Sequence, residues 1–190
     1  MLHARVLLPA IALVAAVPVA QAQVSITPLV GGYVPASDVN QIGGSASNIA
    51  KTRDGTLSLG GNVEFGMLRG SVAYASGTTI KNASKQDIGK GSVLATTADL
   101  VIRPLPRVLV QPYIVAGAGE KFYKYDDSPT LLSGGDKNAF AFHGGLGADV
   151  MLGQFGVVAE LTDFLSKGAD DKWNVHDAFL MAGLKFRLGN

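Results

Sequence analysis

The sequence contains no cysteine, so no disulfide contributes to its stability, which must come from backbone pairing and packing. Charge is scarce as well. Lys, Arg, Asp and Glu make up 16% of the residues, whereas a soluble surface carries about 25–35% of them. Neither sign prevails, with 16 basic against 15 acidic residues. A chain without a basic footprint is a poor partner for nucleic acid. Beyond residue 22 there is no apolar run of the ~20 residues that a membrane-spanning helix needs.

What is present begins with an export signal. Arg5 precedes the apolar stretch VLLPAIALVAAVPVA, and Ala20, Gln21 and Ala22 supply a small-residue cleavage site. The expected division is a secretory signal peptide over residues 1–22, cleaved after Ala22, and one domain over residues 23–190. Without Arg5 the exported part holds 15 basic and 15 acidic residues, a net charge near zero. All 24 glycines lie in it, roughly twice the usual ~7%. Glycine weakens helices. Here it recurs inside alternating runs such as LGGNVEFG, VAGAG and GGLGADV, which describes an all-β protein with one crowded face.

Eight runs alternate between apolar and small or polar residues, the period of a strand. They lie near residues 24–33, 55–66, 69–79, 92–103, 108–123, 139–152, 156–165 and 177–188. Most reach the ~9–11 residues that cross a bilayer as a tilted strand. Their connections also take turns. GMLRG, RPLPRV and LGQFG are tight, whereas residues 34–54, 80–91, 124–138 and 166–176 are longer and polar. In an up-and-down barrel this places four long loops at one end and the tight turns at the other, as in outer-membrane barrels. Pro28 and Pro112 fall near the starts of their runs, where a missing N–H is tolerated.

One parity of each run is apolar. Ala178, Leu180, Ala182, Leu184, Phe186 and Leu188 oppose Asp177, Lys185 and Arg187 in the last run, and Phe140, Phe142, Leu146, Val150 and Leu152 share a face in the sixth. The other parity is mostly Gly, Ala, Ser, Thr and Asn with isolated charges of both signs: Glu64, Asp99, Asp149 and Glu160 against Arg69, Arg103, Lys121, Lys185 and Arg187. Small residues with balanced charges suit the narrow interior of an eight-stranded barrel, which side chains just fill. The apolar parity then faces lipid, where unpaired backbone groups are so costly that the sheet must close. The fold expected is a closed, eight-stranded, antiparallel, up-and-down transmembrane β-barrel. Its nine charged residues form a lumenal network that plugs the interior, since buried charges must be paired; an ion path is the alternative. Glu120 shares the apolar parity of Ile114, Ala116, Ala118 and Phe122, for a bulge or the bilayer rim to absorb. Tyr33, Tyr74, Phe122, Tyr123, Phe155, Phe164, Trp173 and Phe179 fall near run ends, where aromatic anchors sit at headgroup level.

This pattern resembles the small OmpA/OmpX-like outer-membrane β-barrels over nearly the whole exported chain. QPYIVAGAGEKFY resembles a proline- and tyrosine-containing strand of that family. GGLGADVMLGQFGVVAELTDF resembles its sixth strand, tight turn and seventh strand, with Glu160 as the inward acid. Gly183, Phe186 and Leu188 are similar to the family's C-terminal assembly signal. The resemblance implies residence in the bacterial outer membrane. It also implies partners among outer-membrane lipid, lipopolysaccharide and the outer-membrane assembly machinery.

Chemistry is sparsely marked. His143 lies on the lumenal parity, with no serine arranged beside it as a nucleophile, and reads as part of the plug. His176 and Asp177 are adjacent in a strand, so their side chains point to opposite faces and do not converge. The pairs Asp126-Asp127 and Asp170-Asp171 are too few oxygens for a calcium site. GGLGADV precedes no helix and is no dinucleotide fingerprint. No catalytic, cofactor-binding or metal-binding residue is assigned, and no cofactor is expected. The function expected is a structural or surface-interaction role exerted through four long outer loops, including contact with an extracellular partner. Three alternatives stay open at this level: a narrow pore for ions or small solutes, a lipid-modifying outer-membrane enzyme, and a soluble periplasmic binder like a lipocalin.

Overall fold

The computed structural model describes residues 23–37, 50–82, 84–105, 109–126, 137–168 and 171–188; the expected signal peptide lies outside them. Nine strands follow in chain order: β1 (Val24–Pro35), β2 (Ala50–Arg53), β3 (Thr56–Phe65), β4 (Leu68–Asn82), β5 (Asp87–Ile102), β6 (Val110–Asp126), β7 (Lys137–Leu152), β8 (Phe155–Lys167) and β9 (Trp173–Leu188). All pairings are antiparallel. β1 pairs β3, β3 pairs β4, and the chain of partners runs on through β5 to β9, which returns to β1. The sheet is thus a closed barrel of eight staves. The short β2 prolongs the line of β3 by pairing with the far end of β4.

The stagger of the staves decides which side chains meet. One row of paired residues runs from Ser25 through Glu64, Arg69, Asp99, Gly117, His143, Phe164 and Asp177. It returns to β1 at Pro35, ten residues beyond its start. Strands offset in this way tilt by about 35–45° to the barrel axis, so the row spirals up the inner wall. Alternation assigns the faces. Leu57, Leu146, Leu180 and Leu184 point outward and are more than half exposed, whereas Ser58, His143, Phe179 and Lys185 point inward and are buried.

Two hairpins close with two residues each, Gly66-Met67 and Gly153-Gln154. Gly66 has φ of 64° and Gly153 φ of 69°, a region that side chains disfavour. Gly77, with φ of 70°, sits where the β4–β5 register shifts between Ala75 and Thr78, so a glycine-borne bulge resets the inward parity to Thr78 and Ile80.

Two expectations are corrected, and one of two alternatives is set aside. The long connections over residues 80–91 and 166–176 are largely strand: β4 and β5 leave only residues 83–86 between them, and β8 and β9 leave only 168–172. The Asn82 side-chain oxygen accepts from the Ser84 and Gln86 amides (both 2.9 Å) and shapes the first of these turns. The connections at this end are therefore not four long loops. Of the two alternatives for Glu120 the bulge is set aside: the residue is exposed on the outer face, flanked by Thr96 and Phe140 in unbroken register. Tyr33, Tyr123, Phe164 and Phe179 are not rim anchors. They lie on the inward parity and are buried, whereas of the same set Tyr74, Phe155 and Trp173 are exposed on the outer wall and Phe122 is half-buried there.

Candidate functional site

Two polar clusters occupy the barrel interior, one near the tight turns and one near the opposite, loop-bearing end. At the turn end, Arg69 bridges two acids, with Nη2 2.6 Å from Glu64 Oε1 and Nη1 2.8 Å from Glu160 Oε2. Glu64 also receives Arg103 and Lys185, each at 2.8 Å. Both of these cations reach Asp149 as well, at 3.3 and 3.2 Å. The Tyr113 hydroxyl donates to Glu160 (2.8 Å), and the Asn62 amide nitrogen lies 3.3 Å from the same carboxylate. Three acids thus face three bases.

Glycine gives these side chains room to lean. Tyr113 and Glu160 both stand opposite Gly147. A Cβ on Gly147 would strike the Tyr113 ring, so the phenol reaches Glu160 only across a residue without a side chain. Gly117 does the same between Asp99 and His143. A Cβ there would meet Asp99 Oδ1, and across this gap His143 Nδ1 lies 2.8 Å from Asp99 Oδ1. Ser71 (2.6 Å) and Thr97 (3.0 Å) donate to the other oxygen of Asp99. His143 also stacks on Phe164, with ring centroids 4.3 Å apart.

At the loop end one carboxylate gathers four donors. Asp177 Oδ1 receives Arg53 Nη2 (3.0 Å) and the Tyr33 hydroxyl, and Oδ2 receives Lys121 Nζ (2.7 Å) and the Tyr123 hydroxyl. Lys121 donates further to the carbonyl of Phe164 (3.0 Å), and Arg53 Nη1 to the Tyr33 hydroxyl (2.7 Å). The side chains of Lys121 and Asp177 are wholly inaccessible. Between the clusters the inner wall is mixed, with the Asp99–His143 pair and buried Thr97 and Thr162 beside apolar side chains. Phe179 and Met181 separate Asp177 from Lys185 along β9, and Val115 lies between Tyr113 and Lys121 along β6. These residues belong to one buried cluster with Leu29, Ala73, Ala95 and Val158.

The nine charges assigned from the sequence therefore divide. Glu64, Arg69, Arg103, Asp149, Glu160 and Lys185 meet at the turn end. Asp99 joins His143, and Lys121 joins Asp177 at the other end. Arg187 is half-buried and forms no ion pair among the described residues. Arg53, Asp177 and the inward tyrosines Tyr33, Tyr113, Tyr123 and Tyr125 were missed. Arg53 falls in a long connection outside any alternating run, while Asp177 and the tyrosines had the inward parity as a signal. His176 and Asp177 do diverge: His176 turns outward to Asp163 (2.6 Å). Gly183 lies on the inner parity of β9, and Phe186 and Leu188 on the outer one. Among the described residues no group of three or more His, Asp or Glu is placed to hold a metal.

No family model matches the chain. No curated protein matches it either. Solved structures do. The outer membrane protein OprG from Pseudomonas aeruginosa aligns over 89% of this chain and 97% of its own, with a TM-score of 0.58 and 15% identity. Neisserial surface protein A aligns over 87% and 97%, with a TM-score of 0.53 and 17% identity. Ail, the attachment invasion locus protein of Yersinia pestis, aligns over 88% and 99%, with a TM-score of 0.51 and 19% identity. At these identities the likeness is one of architecture, and the architecture is that of the small outer-membrane β-barrels.

Proposed function

We propose that the protein is an integral outer-membrane barrel that serves envelope structure or surface interaction through its loop-bearing end, and not as a channel or an enzyme. The observation that carries this reading is a filled interior inside an apolar wall. Exposed Leu, Val and Phe cover the outer face, a surface suited to acyl chains and not to water. Inside, two bonded polar clusters and a buried apolar cluster occupy the lumen among the described residues, which supports a plug and not a pore. His143 is held by Asp99 and Phe164 within the lumen, away from lipid on the outer wall, which supports a non-catalytic role. Lipopolysaccharide and other outer-membrane lipid are the proposed neighbours of the wall. Gly183, Phe186 and Leu188 are the proposed mark read by the assembly machinery.

Reconstitution in a planar bilayer tests the reading. The expected result is no single-channel steps, together with loss of surface binding when residues 127–136 are replaced by a short Gly-Ser linker. Steady conductance that changes with Arg103→Ala or Glu160→Gln would favour the pore instead.

A further inference from the structure

Two glycines of the outer wall lack an internal reason. Gly61 and Gly70 share the outward parity of Val63 on β3 and Val72 on β4, which are large and exposed. Neither glycine has a positive φ. A Cβ on Gly70 would meet nothing within 4 Å, and one on Gly61 only the Thr27 carbonyl oxygen at 3.6 Å, an ordinary contact. Neither the backbone nor a packed neighbour therefore calls for glycine. Inside a strand glycine weakens pairing, and it marks places where a ligand or another backbone comes close.

The wall is hollowed around them. Val63, Gly70, Ala98 and Ala118 form one row of paired residues. A first groove of about 850 Å³ runs over Gly61 and Gly70 between Ile26, Val72, Phe186 and Leu188. A second, of about 760 Å³, runs over Gly70, Ala98 and Ala116 between Phe65, Leu100 and Phe142. Both linings are mostly apolar, and Val63 and Gly70 border both. Both grooves also reach the turn end, since Leu188 of the first and Phe65 of the second each pair with Val24. Volumes of about 300–1,000 Å³ are those of small-molecule sites.

We infer that the two grooves together hold one diacyl phospholipid, a chain in each, with its headgroup at the turn end. The grooves are continuous with the apolar wall that meets lipid, so an acyl chain is the occupant at hand. Side chains stand out along both sides of each floor, which suits a slender chain. The wall of a second copy would rest on Val63, Val72 and Leu100 and leave the glycines uncovered. The inference rests on the lipid-facing wall proposed above and goes beyond it, because it assigns a resident molecule to the sector centred on β3 and β4.

The test is native mass spectrometry of the full-length exported chain, released from detergent micelles after incubation with dioleoyl phosphatidylethanolamine. One retained phospholipid per chain is expected, and the single-chain lysophospholipid of the same headgroup should be lost. Gly61→Leu and Gly70→Leu fill the floors without a clash in the sheet and should abolish retention. Gly32→Leu is the control. Gly32 faces outward nearer the loop end, with an equally open Cβ position outside both grooves, and its variant should retain the lipid as the native chain does. Heat-modifiable gel migration reports whether each variant is folded; should one leucine variant not fold, the other and the native chain decide. No phospholipid on the native chain would overturn the inference. So would equal retention in Gly61→Leu and Gly70→Leu, equal retention of the lysophospholipid, or a lipid-free dimer that the same leucines dissociate. A chain that needs micelles to stay dispersed yet keeps no phospholipid would overturn this inference alone and leave the lipid-facing wall standing.

Discussion

Asp177 accepts hydrogen bonds from four side chains on β1, β2 and β6 while sitting on β9, so one carboxylate ties four strands together. Its replacement by Asn keeps the shape and removes the charge that Arg53 and Lys121 need. Breaking a buried pair by removing one partner costs about 3–5 kcal/mol. Asp177→Asn is expected to lose that much in urea unfolding from lipid vesicles. Arg103→Gln is expected to lose only about 1 kcal/mol, because its guanidinium is 23% exposed and both its acids keep Lys185. Gly147→Ala tests the space beneath Tyr113. Overpacking of this kind costs roughly 1–3 kcal/mol, and the same unfolding measurement should show it, with Tyr113 fluorescence reporting the displaced ring.

At the scale of strands and turns, three glycines hold backbone conformations that other residues disfavour: Gly66, Gly77 and Gly153. Nothing lies within 4 Å of a Cβ built on Gly77, so Gly77→Ala probes the backbone alone. It should cost roughly 1–2 kcal/mol and speed amide exchange in the outer halves of β4 and β5 without disturbing the turn-end cluster. The same scale shows what could be read from the sequence. The eight staves were legible, and their faces too except beyond Gly77 in β4, because an apolar wall and a crowded interior impose alternation wherever both are present. Towards residues 82, 87, 167 and 173 polar residues interrupt the alternation, and strand looks like loop. Partnership was not legible. The inward parity of Lys121 and Asp177 could be read, but only the ten-residue stagger brings them within 2.7 Å. Arg53 enters the lumen from outside every alternating run, so no periodicity announced it.

The whole molecule combines a closed wall, an apolar exterior and an interior shared by bonded polar clusters and apolar side chains. Each property requires the others. Closure removes the sheet edges that hydrocarbon would not tolerate. The apolar exterior directs most charge to the two ends and the lumen, Glu120 on the outer face apart, and the narrow lumen accepts charge only when it is bonded. Direction of the apolar face is therefore the central claim. It can be measured by electron paramagnetic resonance on single nitroxide labels at Leu146 and Leu184, since no native cysteine competes for the label. In reconstituted vesicles both labels should collide readily with lipid-dissolved oxygen and poorly with a water-soluble nickel chelate. Labels at these sites shielded from oxygen, or open to the chelate, would contradict the account.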